Sequence, residues 1–167
     1  MFTSWNPRRY WLIASMVAMA AVIVIAVAVL HGSAKVPSVP ADLNPAALSF
    51  KLPDQIQWTD SPTGASTAVL YGDPTKPGLY IILNKWTAHH TSRPHYHPND
   101  RFITVLSGTW WVNTGSKYDS DTMVPMPTGT FVTHYAKQIH YDGAKDGDAV
   151  LEIVGMGPAT AVPAEEK

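Results

Sequence analysis

The sequence predicts an all-β domain that follows an apolar N-terminal helix, and three observations carry this prediction. The chain of 167 residues contains 14 prolines and 11 glycines, an abundance of turn-forming residues that argues against a helical bundle. Short runs of β-branched and aromatic residues recur between these turns, as in antiparallel sandwiches and barrels. Before them, residues 10–30 form an uncharged apolar run that is long enough to cross a bilayer as a helix.

The apolar run sets the expected compartment. Arg8 and Arg9 precede it and the first acidic residue is Asp42, so the positive-inside rule leaves the N-terminus in the cytoplasm and the remainder outside. The length of the run favours a retained anchor. The small residues 32–34, and a resemblance of residues 7–12 to a twin-arginine signal, favour cleavage. Residues 1–34 are therefore predicted to be a signal peptide or a membrane anchor, in a protein that is periplasmic or attached to the inner membrane with its folded domain outside.

The rest of the chain divides into three parts by composition. Residues 35–52 contain Pro37, Pro40 and Pro45 among small residues, which indicates an extended linker. Residues 53–160 form the globular body. Residues 161–167 end in two glutamates and a lysine and are predicted to be a flexible tail.

Six strands are predicted in the body, each bounded by turn-forming residues. They cover residues 67–71, 79–86, 102–106, 109–112, 130–133 and 149–154. The turn signals include Gly108, Gly115, Gly129 and the pair Asp142 and Gly143.

Composition excludes several function classes. A net charge of −1 without a basic cluster argues against a nucleic-acid partner. The absence of cysteine excludes disulfides, thiolate metal sites and cysteine nucleophiles. The sequence also contains neither a G-x-G-x-x-G phosphate loop nor a G-x-S-x-G nucleophile elbow. Histidine is the residue type that remains as a carrier of chemistry.

Six of the seven histidines lie between His89 and His140. Two of them, His95 and His97, are separated by one residue, so on a strand both side chains point to the same face. With a third imidazole from a neighbouring strand they would form a tridentate platform for a divalent metal ion, with coordination positions left open.

Residues 95–108 and 129–140 resemble the two sequence motifs of the cupins. In the first motif, H-x-H is followed by a glutamate and then by a hairpin glycine, which is Gly108 here. In the second, a glycine is followed by P-x-G and a histidine, and this spacing places His140 at the third ligand position. The resemblance covers about residues 53–160, and the chain also looks like the small single-domain cupins related to ChrR-type cupin domains. Further matches are Gly78, the Gly72-Asp73-Pro74 turn and the Trp110-Trp111 pair.

This resemblance implies the RmlC-like jelly-roll barrel, a double-stranded β-helix. It also implies a divalent metal ion, Zn, Mn, Fe or Ni, on His95, His97 and His140. A small-molecule ligand in the mouth of the barrel and a homodimer are the implied partners, and a membrane is a further partner if the N-terminal segment is retained.

Two departures from the motifs bear on the site. Arg101 stands where the family has its metal-binding glutamate, and a guanidinium has no lone pair for a cation. Tyr135 and Lys137 replace the proline and glycine of the second motif. Two arrangements stay open. Arg101 points inward and holds a carboxylate or phosphate of a ligand, or Asp100 turns inward as the missing carboxylate while Arg101 faces out.

Four further residues are candidates for the site. His134 is a possible fourth metal ligand or a hydrogen-bonding neighbour of one. Tyr96, Trp110 and Tyr141 are candidates for ligand contact by stacking, with core filling as the alternative.

Two function classes follow. The first is a metal-dependent cupin enzyme of dioxygenase or isomerase type, in which the ion acts as a Lewis acid. The second is a non-catalytic cupin, either a ligand sensor or a metal-free dimeric scaffold. Three neutral histidines leave the full charge of a divalent ion in place, which favours an anionic ligand.

Overall fold

Strands and turns build two antiparallel sheets in residues 43–167, the part of the chain that the computed structural model describes. The chain divides into two compact units, Met1–Leu48 and Ser49–Lys167. The described end of the first unit is a turn, in which the Ala47 amide donates to the carbonyl of Asn44. Both sheets belong to the second unit.

Within residues 43–167, twelve strands follow one another, most of them joined by tight turns. They are β1 (Thr59–Asp60), β2 (Ala65–Tyr71), β3 (Gly78–Trp86), β4 (His90–Thr91), β5 (His95–Tyr96), β6 (Arg101–Ser107), β7 (Thr109–Thr114), β8 (Val124–Pro127), β9 (Phe131–His134), β10 (His140–Ala144), β11 (Ala149–Gly157) and β12 (Val162–Pro163). Two single-turn 3-10 helices, Pro53–Gln55 and Ser120–Thr122, complete the described elements.

The strand order of the sheets is that of a jelly roll. The first sheet runs β1-β2-β3-β11-β6-β9, and the second runs β12-β5-β10-β7-β8, with β4 also paired to β10. The late strands β10 and β11 therefore lie in the middle of the two sheets, between strands formed much earlier in the chain. This confirms the all-β fold class predicted from the sequence.

Alternation along β6 shows how the core is filled. Ile103 and Val105 are buried, whereas Phe102 and Leu106 are exposed. Arg101 shares the parity of the two buried residues, so its side chain points to the inner side of the sheet. The core cluster that this face joins also contains Tyr80, Trp86, Trp110, Leu151 and Ile153, and so draws on both sheets.

All six strands predicted from the sequence are present, but the prediction of a turn at Asp142 and Gly143 is wrong. Strand β10 runs through both residues. The glycine serves close strand contact instead of a turn, because a Cβ atom at Gly143 would lie 2.3 Å from the carbonyl oxygen of His90 on β4.

The structure describes the predicted C-terminal tail in full and the segments before the body only in part. The predicted tail, residues 161–167, contains β12, which pairs with β5, and the Ala164 amide donates to the carbonyl of Pro94 at 2.9 Å. The predicted N-terminal helix and residues 35–42 of the predicted linker lie outside the described residues. Among residues 43–167, no helix has the length and apolar character needed to span a membrane. The domain boundaries stay predictions.

Candidate metal centre and adjoining cavity

Three histidines converge at the paired strands β5 and β10 of the second sheet. His95 on β5 and His140 on β10 are directly opposite each other in the antiparallel pair, and His97 follows β5 by one residue. One nitrogen from each ring lies within 4.8 Å of the other two. The cluster thus joins the two predicted motifs, which are about forty residues apart in the sequence.

Each imidazole is held by a main-chain carbonyl. The Nδ1 atoms lie 2.8 Å from Arg93 O for His95, 2.8 Å from Thr160 O for His97 and 3.0 Å from Gln138 O for His140. A carbonyl only accepts, so Nδ1 carries the proton in each ring and Nε2 keeps its lone pair. Outer hydrogen bonds of this kind orient histidines that ligate metals.

The three Nε2 atoms are suited to a metal ion. Three atoms no more than 4.8 Å apart share a point no farther than about 2.8 Å from each, against metal–nitrogen bonds of about 2.0–2.1 Å. A small inward movement of the rings would close that gap. Nε2 of His140 is enclosed and has no hydrogen-bond partner among residues 43–167, so an unused lone pair points into the cluster.

Arg101 lies beside this cluster. Its Nη1 atom donates to Nε2 of His97 at 2.6 Å. Its Nε atom is enclosed and has no partner in the described part of the chain. The lone pair of His97 therefore already has a hydrogen-bond donor, and a metal ion held by all three histidines requires Arg101 to release it.

Burial favours the neutral form of His97 and His140. Desolvation lowers the pKa of His97 to about 3, and the charge of Arg101 acts in the same direction. Desolvation also lowers the pKa of His140, although the nearby carboxylate of Asp142 opposes the shift. The neutral imidazole is the form that binds metals, so burial keeps these two histidines ready for an ion at neutral pH.

A cavity of about 610 Å³ adjoins the cluster. His95, Arg101 and Asp142 provide polar groups in its wall, and Tyr80, Trp86 and Ile153 provide much of its apolar surface. This volume and lining are typical of a site for a small organic molecule.

The carboxylate of Asp142 is fixed in the cavity wall. The hydroxyl of Ser92 donates to its Oδ1 atom at 2.9 Å, and the Asp142 amide donates back to that hydroxyl at 2.9 Å. Asp142 was not a candidate from the sequence. Its position two residues after His140, on the same strand, was the signal that could have found it.

Two of the predicted metal ligands are not among the three histidines whose nitrogens converge. His134 is buried with its ring centroid 3.7 Å from that of His140, but it is not one of the residues whose nitrogens converge. Asp100 is exposed, and its Oδ1 atom accepts the Ala136 amide at 2.7 Å. The inner position next to the histidines belongs to Arg101.

The three predicted aromatic contacts have other surroundings. Trp110 is fully enclosed in the core, and the hydroxyl of Tyr141 donates to the carbonyl of Asp119 at 3.1 Å. Tyr96 is half-buried opposite Val162. None of the three lines the cavity, so their part in ligand binding stays a prediction. Tyr80 and Trp86 do line the cavity. Both lie in the predicted strand of residues 79–86, but nothing in the sequence indicated that they would face a cavity.

Comparisons with known proteins agree with the architecture. No protein-family model and no curated protein matches the chain. The polyketide cyclase RemF from Streptomyces resistomycificus is similar in structure, with a TM-score of 0.60, 11% identity and coverage of 72% of this chain and 87% of that one. KdgF from a Halomonas species has a TM-score of 0.52 and 18% identity, over 65% and 94% of the two chains.

A third similar structure is an RmlC-like cupin from Shewanella frigidimarina, with a TM-score of 0.53 and 15% identity over 66% of this chain and 90% of that one. Identities this low show the fold alone. The finer resemblance to ChrR-type domains stays a prediction.

Proposed function

We propose that this chain, which has the cupin fold, binds one divalent transition metal ion on His95, His97 and His140 and a small organic molecule in the adjoining cavity. One observation carries the proposal: three imidazoles converge while a main-chain carbonyl holds the Nδ1 of each. Such tethering positions the three Nε2 lone pairs before any ion arrives, as metal sites require.

The three imidazole nitrogens determine which ions suit the site. Imidazole nitrogen suits zinc, iron and nickel, and manganese is accommodated where oxygen ligands complete the coordination. When bound, the ion would supply a Lewis acid that polarises an oxygen of the ligand. The chain's own residues shape the rest of the site: Trp86 and Ile153 give the cavity apolar wall, and the carboxylate of Asp142 is a hydrogen-bond acceptor in that wall. An enzyme of dioxygenase or isomerase type and a non-catalytic sensor both fit this arrangement.

One contact favours the second candidate function, a cupin without metal. The guanidinium of Arg101 donates to Nε2 of His97, so one of the three lone pairs has a partner that is not an ion. In this alternative the positive charge of Arg101 takes the place of the metal, and the cavity binds its ligand through the guanidinium alone.

Metal analysis of the purified full-length chain distinguishes the two. We expect about one equivalent of a transition metal in the wild-type protein and less than about a tenth of that in His95→Ala, because two imidazoles hold an ion far more weakly than three. His89→Asn is the matched control. It removes a histidine outside the cluster at a positive φ of 66°, which asparagine tolerates.

A wild-type protein that holds less than a tenth of an equivalent, even after incubation with zinc or iron(II), contradicts the metal proposal and supports the metal-free candidate. Equal metal content in His95→Ala and the wild type shows binding elsewhere and also contradicts it.

A homodimer is part of the same proposal. The outer face of the first sheet exposes several large apolar side chains, which is typical of an interface. They include Leu79, Phe102, Phe131 and Met156, and the rings of Phe102 and Phe131 stack at 6.5 Å. We expect a dimer in sedimentation velocity and a monomer for Phe131→Glu, with Lys117→Glu in the exposed loop after β7 as the control. A wild-type monomer at high concentration would refute the dimer.

Export is the remaining part of the proposal, and its support is the apolar run of residues 10–30 behind two arginines. Alkaline phosphatase fused after Lys167 should be active in a bacterial host, and β-galactosidase at the same position should be inactive. The reverse pattern would place the domain in the cytoplasm.

A further inference from the structure

Arg101 occupies the boundary between the histidine cluster and the cavity. Its Nη1 atom contacts His97, and the side chain forms part of the cavity wall. None of the ion pairs among residues 43–167 includes it, and its Nε atom lacks a partner. The carboxylate of Asp142 acts on this charge without a hydrogen bond or ion pair, and a largely enclosed guanidinium without a directly bound carboxylate is unfavourable.

Arg101 and a metal ion compete for the same lone pair of His97. The lone pair on Nε2 serves either the guanidinium or the ion, and the two cations repel each other across a poorly solvated site. As long as Arg101 stays on His97, only His95 and His140 offer free lone pairs to an ion. Arg101 therefore weakens metal binding in the absence of a ligand.

A carboxylate in the cavity changes this balance. A carboxylate offers the guanidinium an opposite charge, which neutral His97 lacks, and the planar fork binds both of its oxygens at once. The exchange of His97 for a carboxylate is thus favourable for Arg101. It frees the third imidazole and screens the positive charge from the ion.

The cavity lining favours a small monocarboxylate over a phosphate. Arg93, the other cation in the wall, is already paired with Glu165, so Arg101 is the one cation among the described lining residues that has no anionic partner. The negative charge of Asp142 in the same wall opposes a dianion. The apolar residues Ile82, Trp86 and Ile153 suit a ligand with an apolar body.

We propose that Arg101 couples the two sites, so that a small carboxylate bound in the cavity draws the guanidinium away from His97 and raises the metal affinity of the three-histidine cluster. This inference rests on the proposed metal-binding function. Because coupling is reciprocal, the metal raises the affinity for the carboxylate by the same factor.

The test is a titration of the purified, chelator-stripped full-length chain with Co²⁺, followed by the visible absorption of the bound ion. Titrations are run in acetate, in acetamide and in chloride at matched ionic strength. We expect acetate to tighten Co²⁺ binding to the wild type about tenfold, and acetamide, which lacks the charge, to have no effect.

Arg101→Met separates the contribution of the guanidinium. Replacement of an enclosed charge by an apolar residue of similar size is usually tolerated. We expect the variant to bind Co²⁺ at least about tenfold more tightly than the wild type without acetate, and to respond to acetate no more than free Co²⁺ does. Lys85→Met, which removes an exposed cation on the same sheet, should behave as the wild type.

The outcomes separate this inference from the function on which it rests. If Arg101→Met and the wild type bind Co²⁺ equally, or if acetate acts on both to the same extent, the coupling is refuted while the metal site stands. If neither protein binds Co²⁺ in any buffer, the metal site itself is refuted. If Arg101→Met does not fold by near-ultraviolet circular dichroism, the difference between acetate and acetamide in the wild type decides.

Discussion

Arg101 faces the interior because it alternates in step with Ile103 and Val105 along β6. From the sequence, a bulge next to Asp100 would have reversed the two side chains, and both arrangements were open. The register shift in the pairing of β6 with β11 lies instead at the other end of β6, between Val150 and Leu151 of β11. The position of a bulge depends on the pairing of distant strands, which a local sequence pattern does not contain.

Ser92→Ala tests the positioning of Asp142. The hydroxyl of Ser92 both donates to the carboxylate and accepts the Asp142 amide, so its removal leaves an enclosed amide without a partner. We expect the free energy of unfolding to fall by about 1–3 kcal/mol in urea denaturation. Ser116→Ala, a similar change away from this pair, should alter it little. A loss of less than about half a kcal/mol in Ser92→Ala would show that water replaces the hydroxyl.

The strands show what local patterning predicts well. Runs of β-branched residues between glycines identified β2, β3, β6, β7, β9 and β11 within a few residues of their ends. The pattern missed β10 because Asp142 and Gly143 form a typical turn signal, although here the glycine makes room for the β4 backbone. It also missed the short strands β1, β4, β5, β8 and β12, of which β4, β5 and β12 exist only through pairing with distant partners.

Removal of β12 should weaken the metal centre. Val162 and Pro163 pair with Tyr96 and His95, so this strand supports the segment that presents two of the three imidazoles. We expect a chain that ends at Ala161 to bind zinc several-fold more weakly by calorimetry, because β5 loses its edge partner.

Glu165→Gln is the control for this truncation. It removes only an ion pair with Arg93 that is largely exposed, and such pairs contribute about 0–1 kcal/mol. Equal zinc affinity in the truncated and full-length chains would show that β12 does not position the histidines.

At the scale of the whole molecule, the jelly-roll order brings together motifs that are distant in the chain. The sequence was sufficient to identify His95, His97 and His140, because the spacing within each motif resembles that of the cupins. It was not sufficient to identify the cavity wall, since Tyr80 and Trp86 come from β3 of the first sheet and Asp142 comes from β10 of the second. Only the packing of the two sheets shows that these three residues line one cavity.

The buried histidines make the stability of the metal-free protein depend on pH. Burial lowers the pKa of His97 to about 3, and also lowers the pKa values of His134 and His140, whereas the unfolded chain titrates near 6.5. Below about pH 6.5 the unfolded state binds protons that the folded state does not. The free energy of unfolding should therefore decrease as the pH falls, by at most about 1.4 kcal/mol per pH unit for each such histidine.

Urea denaturation at about pH 7 and about pH 5 measures this slope. His134→Phe removes one of the buried titrating groups without removing a residue of the three-histidine cluster, so it should show a smaller loss of stability over the same interval. An equal loss in both proteins would mean that His134 is protonated in the folded state.

The central claim is that three histidines hold one metal ion, and X-ray absorption spectroscopy of the zinc-loaded protein tests it most directly. We predict three imidazole nitrogens at about 2.0–2.1 Å from the ion, and two in His97→Ala. A wild-type spectrum with two imidazoles or fewer, unchanged by His97→Ala, would contradict the claim.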